Sequence, residues 1–310
     1  MLEVNSVVKT FNGIPVLKGV NLTLNRGDVY GLVGKNGAGK TTLMNIIVSI
    51  LKKDSGSVVL DGKEILSAKD VHKKIGYAID VPALFDFMTC AEYLRYLSSC
   101  TDYTKKETEE RIDYLLNLVG LTPFKDKRLK NYSRGMRQRA GIACTLFANP
   151  DIIMFDEPTS ALDPMGRAEV MEILKKLSQE GKTILLSTHI LSDVEKVCNK
   201  IGILENGVIA FEGDINEVLK CATTSYTLSL TDKSNNEKIL FNLENIEFID
   251  NAYIKGENVV VSLNGGDDNS KIKLLQLLAK LNVAFDNVSL NKESIEEVFL
   301  QKLKSQKEKN

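Results

Sequence analysis

The run Gly34-Lys35-Asn36-Gly37-Ala38-Gly39-Lys40-Thr41 constrains what this chain can fold into more than any other segment. It fits G-x-x-x-x-G-K-[ST], a loop whose backbone N–H groups wrap the phosphates of a nucleotide. In such a loop Lys40 reaches the β and γ oxygens, and Thr41 offers a hydroxyl to Mg2+. The loop works only between a strand and a helix, and the sequence supplies both. Residues 27–33 run apolar into the glycines, and Leu43, Ile46, Ile47 and Ile50 recur at helical spacing after Lys40. By average residue usage the pattern arises by chance in roughly one chain in a hundred of this size; the flanking elements remove that explanation.

A second segment brings carboxylates. Ile152-Ile153-Met154-Phe155 reads as a buried strand and ends in Asp156-Glu157. At the C-terminal edge of a parallel sheet, Asp156 can hold Mg2+ through water. Phosphoryl transfer needs mainly positioning and charge neutralisation, plus one group that orients or deprotonates the attacking water. Glu157 is placed for that task. The two segments together imply a fold that binds ATP with Mg2+ and splits it.

The chain has 310 residues, which suits one domain of ordinary size and a smaller one. Short apolar runs at 75–79, 152–155 and 183–187 look like buried strands separated by helical segments. The fold class is α/β: a P-loop NTPase core with a mainly parallel sheet and an antiparallel N-terminal β part. In that part Val16, Val20, Leu22 and Leu24 fall on one alternating face. From about 88 to 130 the texture becomes charged and helix-forming, closing at Gly120 and Pro123, and predicts a helical insertion. Past Lys220 three alternating runs, SYTLSL, KILFNL and NVVVSL, have the pattern of strands. Helices are expected at 271–281 and near 294–303, the last opened by a capping box of Ser294 and Glu297. The domain boundaries are therefore drawn at 1–220 and 221–310, the second a small α+β domain with no catalytic constellation. The lysine-rich end reads as a frayed, solvated tail.

Forty Lys and Arg stand against 41 Asp and Glu, a net charge of -1, so no global charge draws the chain to nucleic acid or to an anionic membrane. No stretch reaches the ~18 consecutive apolar residues of a spanning helix, and MLEVNSVVKTF has the regions of no signal peptide. The expectation is a soluble, cytosolic chain. The five cysteines, Cys90, Cys100, Cys144, Cys198 and Cys221, are scattered and read as reduced, mostly buried residues. With only His72 and His189, a zinc site has almost no ligands.

Further motifs carry a resemblance. Tyr132-Ser133-Arg134-Gly135-Met136-Arg137-Gln138-Arg139 looks like a signature motif, Ser160-Ala161-Leu162-Asp163 like a D-loop, and Ser187-Thr188-His189 like a switch histidine. In this order they resemble the ATP-binding subunit of ABC transporters, over about residues 2–220. The resemblance implies that adenine stacks on Phe11, with Val16 close behind. It implies that Gly34, Asn36, Gly37, Ala38, Gly39, Lys40, Thr41 and Thr42 surround the phosphates, with Thr41 and Asp156 at the metal. Ser133 and Gly135 open a helix and can present a hydroxyl, N–H groups and a positive dipole end to a γ-phosphate bound to the other subunit. Asp163 belongs to the same interface. His189 is expected to contact the γ-phosphate and, with Lys40 and Glu157, to carry catalysis. One copy of each motif implies half of a dimer holding two ATPs, driving a separate transmembrane permease. The chain would then sit in the cytoplasm, peripheral at the inner face of the membrane, and would not bind nucleic acid.

The sequence departs from the family at three positions. Asp80 occupies the usual Q-loop glutamine position, and unit charges ~4 Å apart at an effective dielectric of 20 interact by ~4 kcal/mol. Asp80 either joins the metal shell or turns away. Arg134 and Met136 stand where the signature usually has Gly and Gln, a form similar to one frequent in drug and antibiotic export ATPases. Ser294 to Phe299 resembles the end of the accessory domain such exporters carry, so export is expected. Phe85, Phe87, Met88 and Tyr93 form an apolar cluster that either docks the membrane partner or packs inside the domain. A soluble ATPase acting on ribosomes or DNA is the other class. Ribosomal members usually fuse two ATP-binding halves and repair members insert long coiled coils, and neither is seen. A small-molecule P-loop kinase leaves the signature and switch histidine unexplained.

Overall fold

The computed structural model describes residues 1–71, 73–215, 217, 224–243, 246–263, 268–281 and 284–292. The chain divides into two compact units, Met1–Ile215 and Asn216–Asn310. His72, Cys221, the expected helix near 294–303 with Ser294 and Glu297, and the lysine-rich end lie outside the described residues.

The first unit opens with β1 (Leu2–Phe11) and β2 (Ile14–Leu24), an antiparallel hairpin. With β4 (Ser55–Leu60) and β5 (Lys63–Glu64) it forms a four-stranded sheet in the order β2-β1-β4-β5. The second sheet holds β3 (Val29–Val33), β6 (Ile75–Ala78), β7 (Ile152–Asp156), β8 (Thr183–Thr188), β9 (Lys200–Glu205) and β10 (Val208–Asp214) in the order β10-β9-β3-β8-β7-β6. Every pairing there is parallel except β10 with β9. Strands β3, β7 and β8 are buried along their whole length, which is why they read as unbroken apolar runs.

Helices α1 (Lys40–Ile47), α2 (Ala68–Val71), α3 (Cys90–Leu97), α4 (Lys105–Leu118), α5 (Arg134–Leu146), α6 (Pro164–Gln179) and α7 (Leu191–Val197) connect the strands. The expected insertion contains α3 and α4. Each starts in a capping box, Thr89 with Glu92 and Thr104 with Glu107, so two helix ends are satisfied locally. One core cluster joins Val4 and Leu22 of the antiparallel sheet, Leu43 and Ile47 of α1, and Met154 and Leu185 of the parallel sheet. Eight residues are too few for α1 to persist alone. Burial of Leu43, Ile46 and Ile47, at about 1.5–3 kcal/mol each, holds it between the sheets.

Three local expectations are corrected. Helix α1 stops at Ile47, where Ser49 takes a φ of 60°, and Ile50 is 69 % exposed rather than on the buried face. Val16 does not share a face with Val20. The register of β1 against β2 shifts between Val7/Val20 and Val8/Lys18, a bulge at Gly19, whose φ is 94°. The bulge changes parity, so Leu17 joins Val20, Leu22 and Leu24 in the core and Val16 faces the phosphate loop.

The third correction falls in the second unit. It is an antiparallel sheet in the order β12-β13-β11-β14, with β11 (Thr224–Leu230), β12 (Ile249–Lys255), β13 (Asn258–Leu263) and β14 (Phe285–Lys292). Among the described residues two helices, α8 (Asn236–Leu243) and α9 (Asp268–Lys280), accompany it. SYTLSL and NVVVSL are strands, but KILFNL is helical. A strand would group Ile239, Phe241 and Leu243; the helix buries Ile239 and Leu243, four apart, and leaves Phe241 77 % exposed. Ile239 and Leu243 pack with Leu228, Val259, Val261, Leu274 and Leu278.

Candidate active site

The phosphate loop is built by where β3 ends and how α1 begins. Gly39 precedes α1 with a φ of 107°, and no side chain among the described residues caps the helix. Its first turn holds no acidic residue, so the first N–H groups are left for an anion. A Cβ at Gly39 would meet Leu17 Cδ2 at 2.8 Å, because β2 lies directly against the loop. Only glycine fits both the backbone angle and the space. Lys40 is buried, and its ammonium donates to Gly34 O at 2.6 Å and Lys35 O at 3.3 Å.

The carboxylates come from the next-but-one strand. Asp156 ends β7, 3 % exposed, with Oδ1 accepting from Ser187 Oγ at 2.5 Å and Oδ2 from Tyr77 OH at 3.4 Å. Ser187 is its register partner on β8. Burial, reinforced by the Asp156 charge, pushes the Tyr77 phenol up, so it stays a donor to that carboxylate. Glu157 leaves the strand with a φ of 47°, a left-handed conformation that costs about 1–3 kcal/mol for such a residue. Two contacts hold it there, its N–H donating to Ser187 O at 3.2 Å and Ser187 Oγ at 3.0 Å. The strained turn aims the side chain back at the loop. Glu157 Oε1 lies 3.0 Å from Lys40 Nζ, and Oε2 lies 2.7 Å from His189 Nδ1. The ion pair with Lys40 is close but not aligned as a hydrogen bond, and Oε1 is buried without a hydrogen-bond partner among the described residues.

These side chains surround a cavity of about 550 Å³ lined by Phe11, Val16, Asn36, Gly37, Gly39, Lys40, Thr41, Thr42, Asp80, Glu157, Ser160 and His189. Gly34 takes part through its carbonyl, Ala38 is not among the lining residues, and Asp156 lies beneath the lining, bonded to Ser187. Asp80 faces into this cavity rather than away, and its Oδ1 accepts from Ser160 Oγ at 2.6 Å.

The remaining expected residues do not join them. Ser133 caps α5, its Oγ accepting from Met136 N at 3.2 Å, and Asp163 caps α6, accepting from Gly166 N at 3.1 Å. With Gly135 they line a second cavity, also about 550 Å³, together with Arg134, Met136 and Met165. Within one chain, the expected loop residues and the expected signature residues line two separate cavities.

A network that the sequence does not mark surrounds Asp193. Asp193, 1 % exposed, accepts from Thr159 Oγ1 at 2.7 Å and Arg167 Nε at 2.8 Å. Arg167 also donates to Ser192 Oγ at 2.9 Å. The contacts join the turn after Glu157, helix α6 and the helix that follows His189. Asp193 and Arg167 sit in charged helical sequence, and nothing in their spacing marks Asp193 as buried or the two as paired.

Comparison with known proteins agrees with this geometry. The ABC transporter family profile matches residues 17–160. An ABC transporter ATP-binding protein of Synechocystis is 34 % identical over 93 % of this chain and 78 % of its own length. The lantibiotic transport ATP-binding protein SrtF of Streptococcus pyogenes is 37 % identical over 68 % of this chain and 90 % of its own. The daunorubicin/doxorubicin resistance ATP-binding protein DrrA of Streptomyces peucetius is 29 % identical over 96 % and 91 %. Among solved structures, cbiO1 of Clostridium perfringens, part of the cbiONQ transporter complex, superposes with a TM-score of 0.65 at 31 % identity, covering 70 % of this chain and 89 % of that one. The dimeric cassette MJ0796 bound to ADP and Pi gives a TM-score of 0.63 at 30 % identity over 69 % and 99 %. The fold and the loop define a P-loop ATPase. The chain belongs to the ATP-binding proteins of ABC transporters.

Proposed function

We propose that this chain is the ATP-hydrolysing motor of an exporter, acting as a dimer on a separate membrane-spanning permease. The observation that carries this reading is the separation of the two half-sites. Lys40, Thr41, Glu157 and His189 face one cavity, and Ser133, Gly135 and Asp163 face another, so a complete site needs a second chain. Among the described residues no helix is long and apolar enough to cross a membrane, so transport requires a partner that spans it. The names of SrtF and DrrA favour export.

In this reading adenine stacks on Phe11 beside Val16, and the N–H groups from Gly34 to Thr42 receive the phosphates. Glu157 now holds Lys40 and His189 as an anion would. A triphosphate carries more charge and displaces Glu157 from Lys40, freeing the carboxylate for water. His189 Nδ1 meets Glu157 Oε2, which leaves Nε2 on the far edge of the ring, where it can donate to a γ-phosphate oxygen when it carries a proton. The residues fit Mg2+. The Thr41 hydroxyl and the Asp156 and Asp80 carboxylates are hard oxygen donors, and this ion is usually held by one or two carboxylates plus phosphates and water. When bound, Mg2+ neutralises charge on the phosphate oxygens. Ser133 and Gly135 of the partner chain would close over the γ-phosphate, the second copy contributing the positive end of α5.

Phe85 and Phe87 support the permease contact. They are 45 % and 66 % exposed, stacked with ring centres 5.7 Å apart, and Tyr93 meets Phe85 edge-on at 5.4 Å. Met88 and Tyr93 are half-buried, so the two phenylalanines are the exposed part of the cluster. Residues 1–220 serve as the ATP-binding domain and 221–310 as an accessory domain. A Glu157→Gln chain tests the reading: it should bind ATP, hydrolyse at least ~100-fold more slowly and elute as a dimer only with ATP. Wild-type turnover, or a monomer at saturating ATP, would sink it. Co-purification with a multi-spanning membrane protein tests the partner.

A further inference from the structure

Phe11 ends β1 at the mouth of the phosphate-loop cavity, and a charged pair stands behind it. Two residues earlier, Lys9 lays its ammonium over the Phe11 ring, 5.4 Å from the centroid, within cation–π range. The Lys9 side chain is only 13 % exposed, and its Nζ is fixed 2.7 Å from Asp54 Oδ1. Asp54 also grips the strand itself. Its Oδ2 accepts from the Thr10 N–H at 2.7 Å, and its own N–H donates to Val8 O at 2.9 Å.

That grip matters because the hairpin is irregular here. The register of β1 against β2 shifts between Lys9 and Thr10, and Thr10 faces Pro15, which has no N–H to offer. A shift of this kind re-aims the side chains beside it. Phe11 itself pairs with Ile14 at the end of the hairpin, and Lys9 and Asp54 add contacts to its ring and to the strand before it. Phe11 remains 41 % exposed, so its other side is open to the cavity it lines. Lys9 is not among the residues lining that cavity.

We propose that Asp54 and Lys9 form a clamp for base recognition: Asp54 orients Lys9, and Lys9 fixes and polarises the Phe11 ring on which a purine base stacks. A cation on one face draws electron density from the ring, which favours an electron-rich base on the other. Lys9 is thus a positioning residue that acts through Phe11 and leaves the phosphates to the loop. Its ammonium and the Thr10 N–H hold the Asp54 carboxyl below the usual carboxylate range, so Asp54 is ionised at neutral pH. The clamp rests on the reading of Phe11 as the base platform.

The experiment separates base from phosphate. Dissociation constants of the full chain are measured by calorimetry for Mg-ATP and for Mg-tripolyphosphate, which has no base. Lys9→Met is expected to weaken ATP about three- to five-fold and leave tripolyphosphate unchanged. Lys9→Arg, which keeps a cation over the ring, should restore ATP affinity, and Asp54→Asn should fall between. In hydrolysis the loss appears in KM and not in kcat. Phe11→Ala is the control for the underlying reading. If it loses ATP affinity while Lys9→Met does not, the clamp is overturned and the platform stands. If neither changes ATP affinity, Phe11 is no base platform and both fall. Equal weakening of ATP and tripolyphosphate by Lys9→Met would also overturn the clamp, since a deformed loop then accounts for the loss.

Discussion

Ser160 Oγ donates a 2.6 Å hydrogen bond to Asp80 Oδ1 across the phosphate-loop cavity. The contact ties the residue in the Q-loop position to the turn that carries Glu157, because Ser160 N also donates to Glu157 O at 3.0 Å. Asp80 is thus linked through Ser160 to the turn that carries Glu157. Hydrogen bonds to an ionised acceptor are roughly twice as strong as neutral ones. Asp80→Gln should keep the acceptor at reduced strength, leave ATP affinity within about three-fold and change kcat at saturating ATP and Mg2+. Ser160→Ala should reproduce part of that change, and the double variant should be less than additive. An unchanged kcat in Asp80→Gln would make Asp80 a solvated loop residue with no part in turnover.

The buried carboxylate of Asp193 bears on stability. It holds Thr159 and Arg167, and Arg167 is 29 % exposed at the side chain while Asp193 is 1 % exposed. Removing one partner of a buried pair costs about 3–5 kcal/mol, less where the other partner reaches solvent. Asp193→Ala should therefore destabilise the first unit by about 2–3 kcal/mol, roughly 5–10 °C in Tm for a unit of this size. Asp193→Asn keeps the hydroxyl contact and should lose less. Thermal unfolding decides, and a Tm within ~1 °C of wild type for Asp193→Ala would show that the network adds nothing.

Much of the core was legible because burial on both faces leaves its mark on every residue. Strands β3, β7 and β8 read as apolar runs, and the loop between Gly34 and Thr41 has a fixed spacing. The errors have physical causes. Strict alternation puts Val16 on the face of Val20, but a bulge at Gly19 changes parity, and an interior glycine is its signal in the sequence. KILFNL has apolar residues at i, i+1, i+2 and i+4 that suit either period, and its packing on the sheet of the second unit decides for a helix. The Asp193 network, and Lys9 with Asp54, were invisible because their partners come from distant segments. The residues of the two half-sites were legible by motif, and their separation into two cavities needed the fold.

The aromatic cluster predicts a split between hydrolysis and transport. Phe85 and Phe87 are exposed and contribute little to the core, so Phe85→Ala with Phe87→Ala should leave Tm within ~2 °C. ATPase activity of the isolated chain should stay within about two-fold, since neither side chain lines the phosphate-loop cavity. Export by cells carrying the permease should fall at least ~10-fold if these rings anchor the docked surface. Transport at wild-type level would remove the cluster from the coupling contact.

Gly202 on β9 faces Leu32 on β3, the strand that feeds the phosphate loop. A Cβ at Gly202 would lie 1.9 Å from Tyr30 OH and 2.6 Å from its Cζ, and Tyr30 is fully buried. The ring has no solvent to turn into, so the strand or the ring must shift. Overpacking of this kind costs about 1–3 kcal/mol, and contact this close places Gly202→Ala at the upper end, roughly 6–10 °C in Tm. The partner variant tests the cause. Tyr30→Phe removes the oxygen but leaves a carbon that would still be 2.6 Å away, so it should restore only part of the loss in Gly202→Ala. ATP affinity should fall with stability in Gly202→Ala and recover with it in the double variant, because β3 sets the position of Gly34 and Lys40. If Gly202→Ala melts as wild type, β9 moves freely against β3 and does not brace the loop.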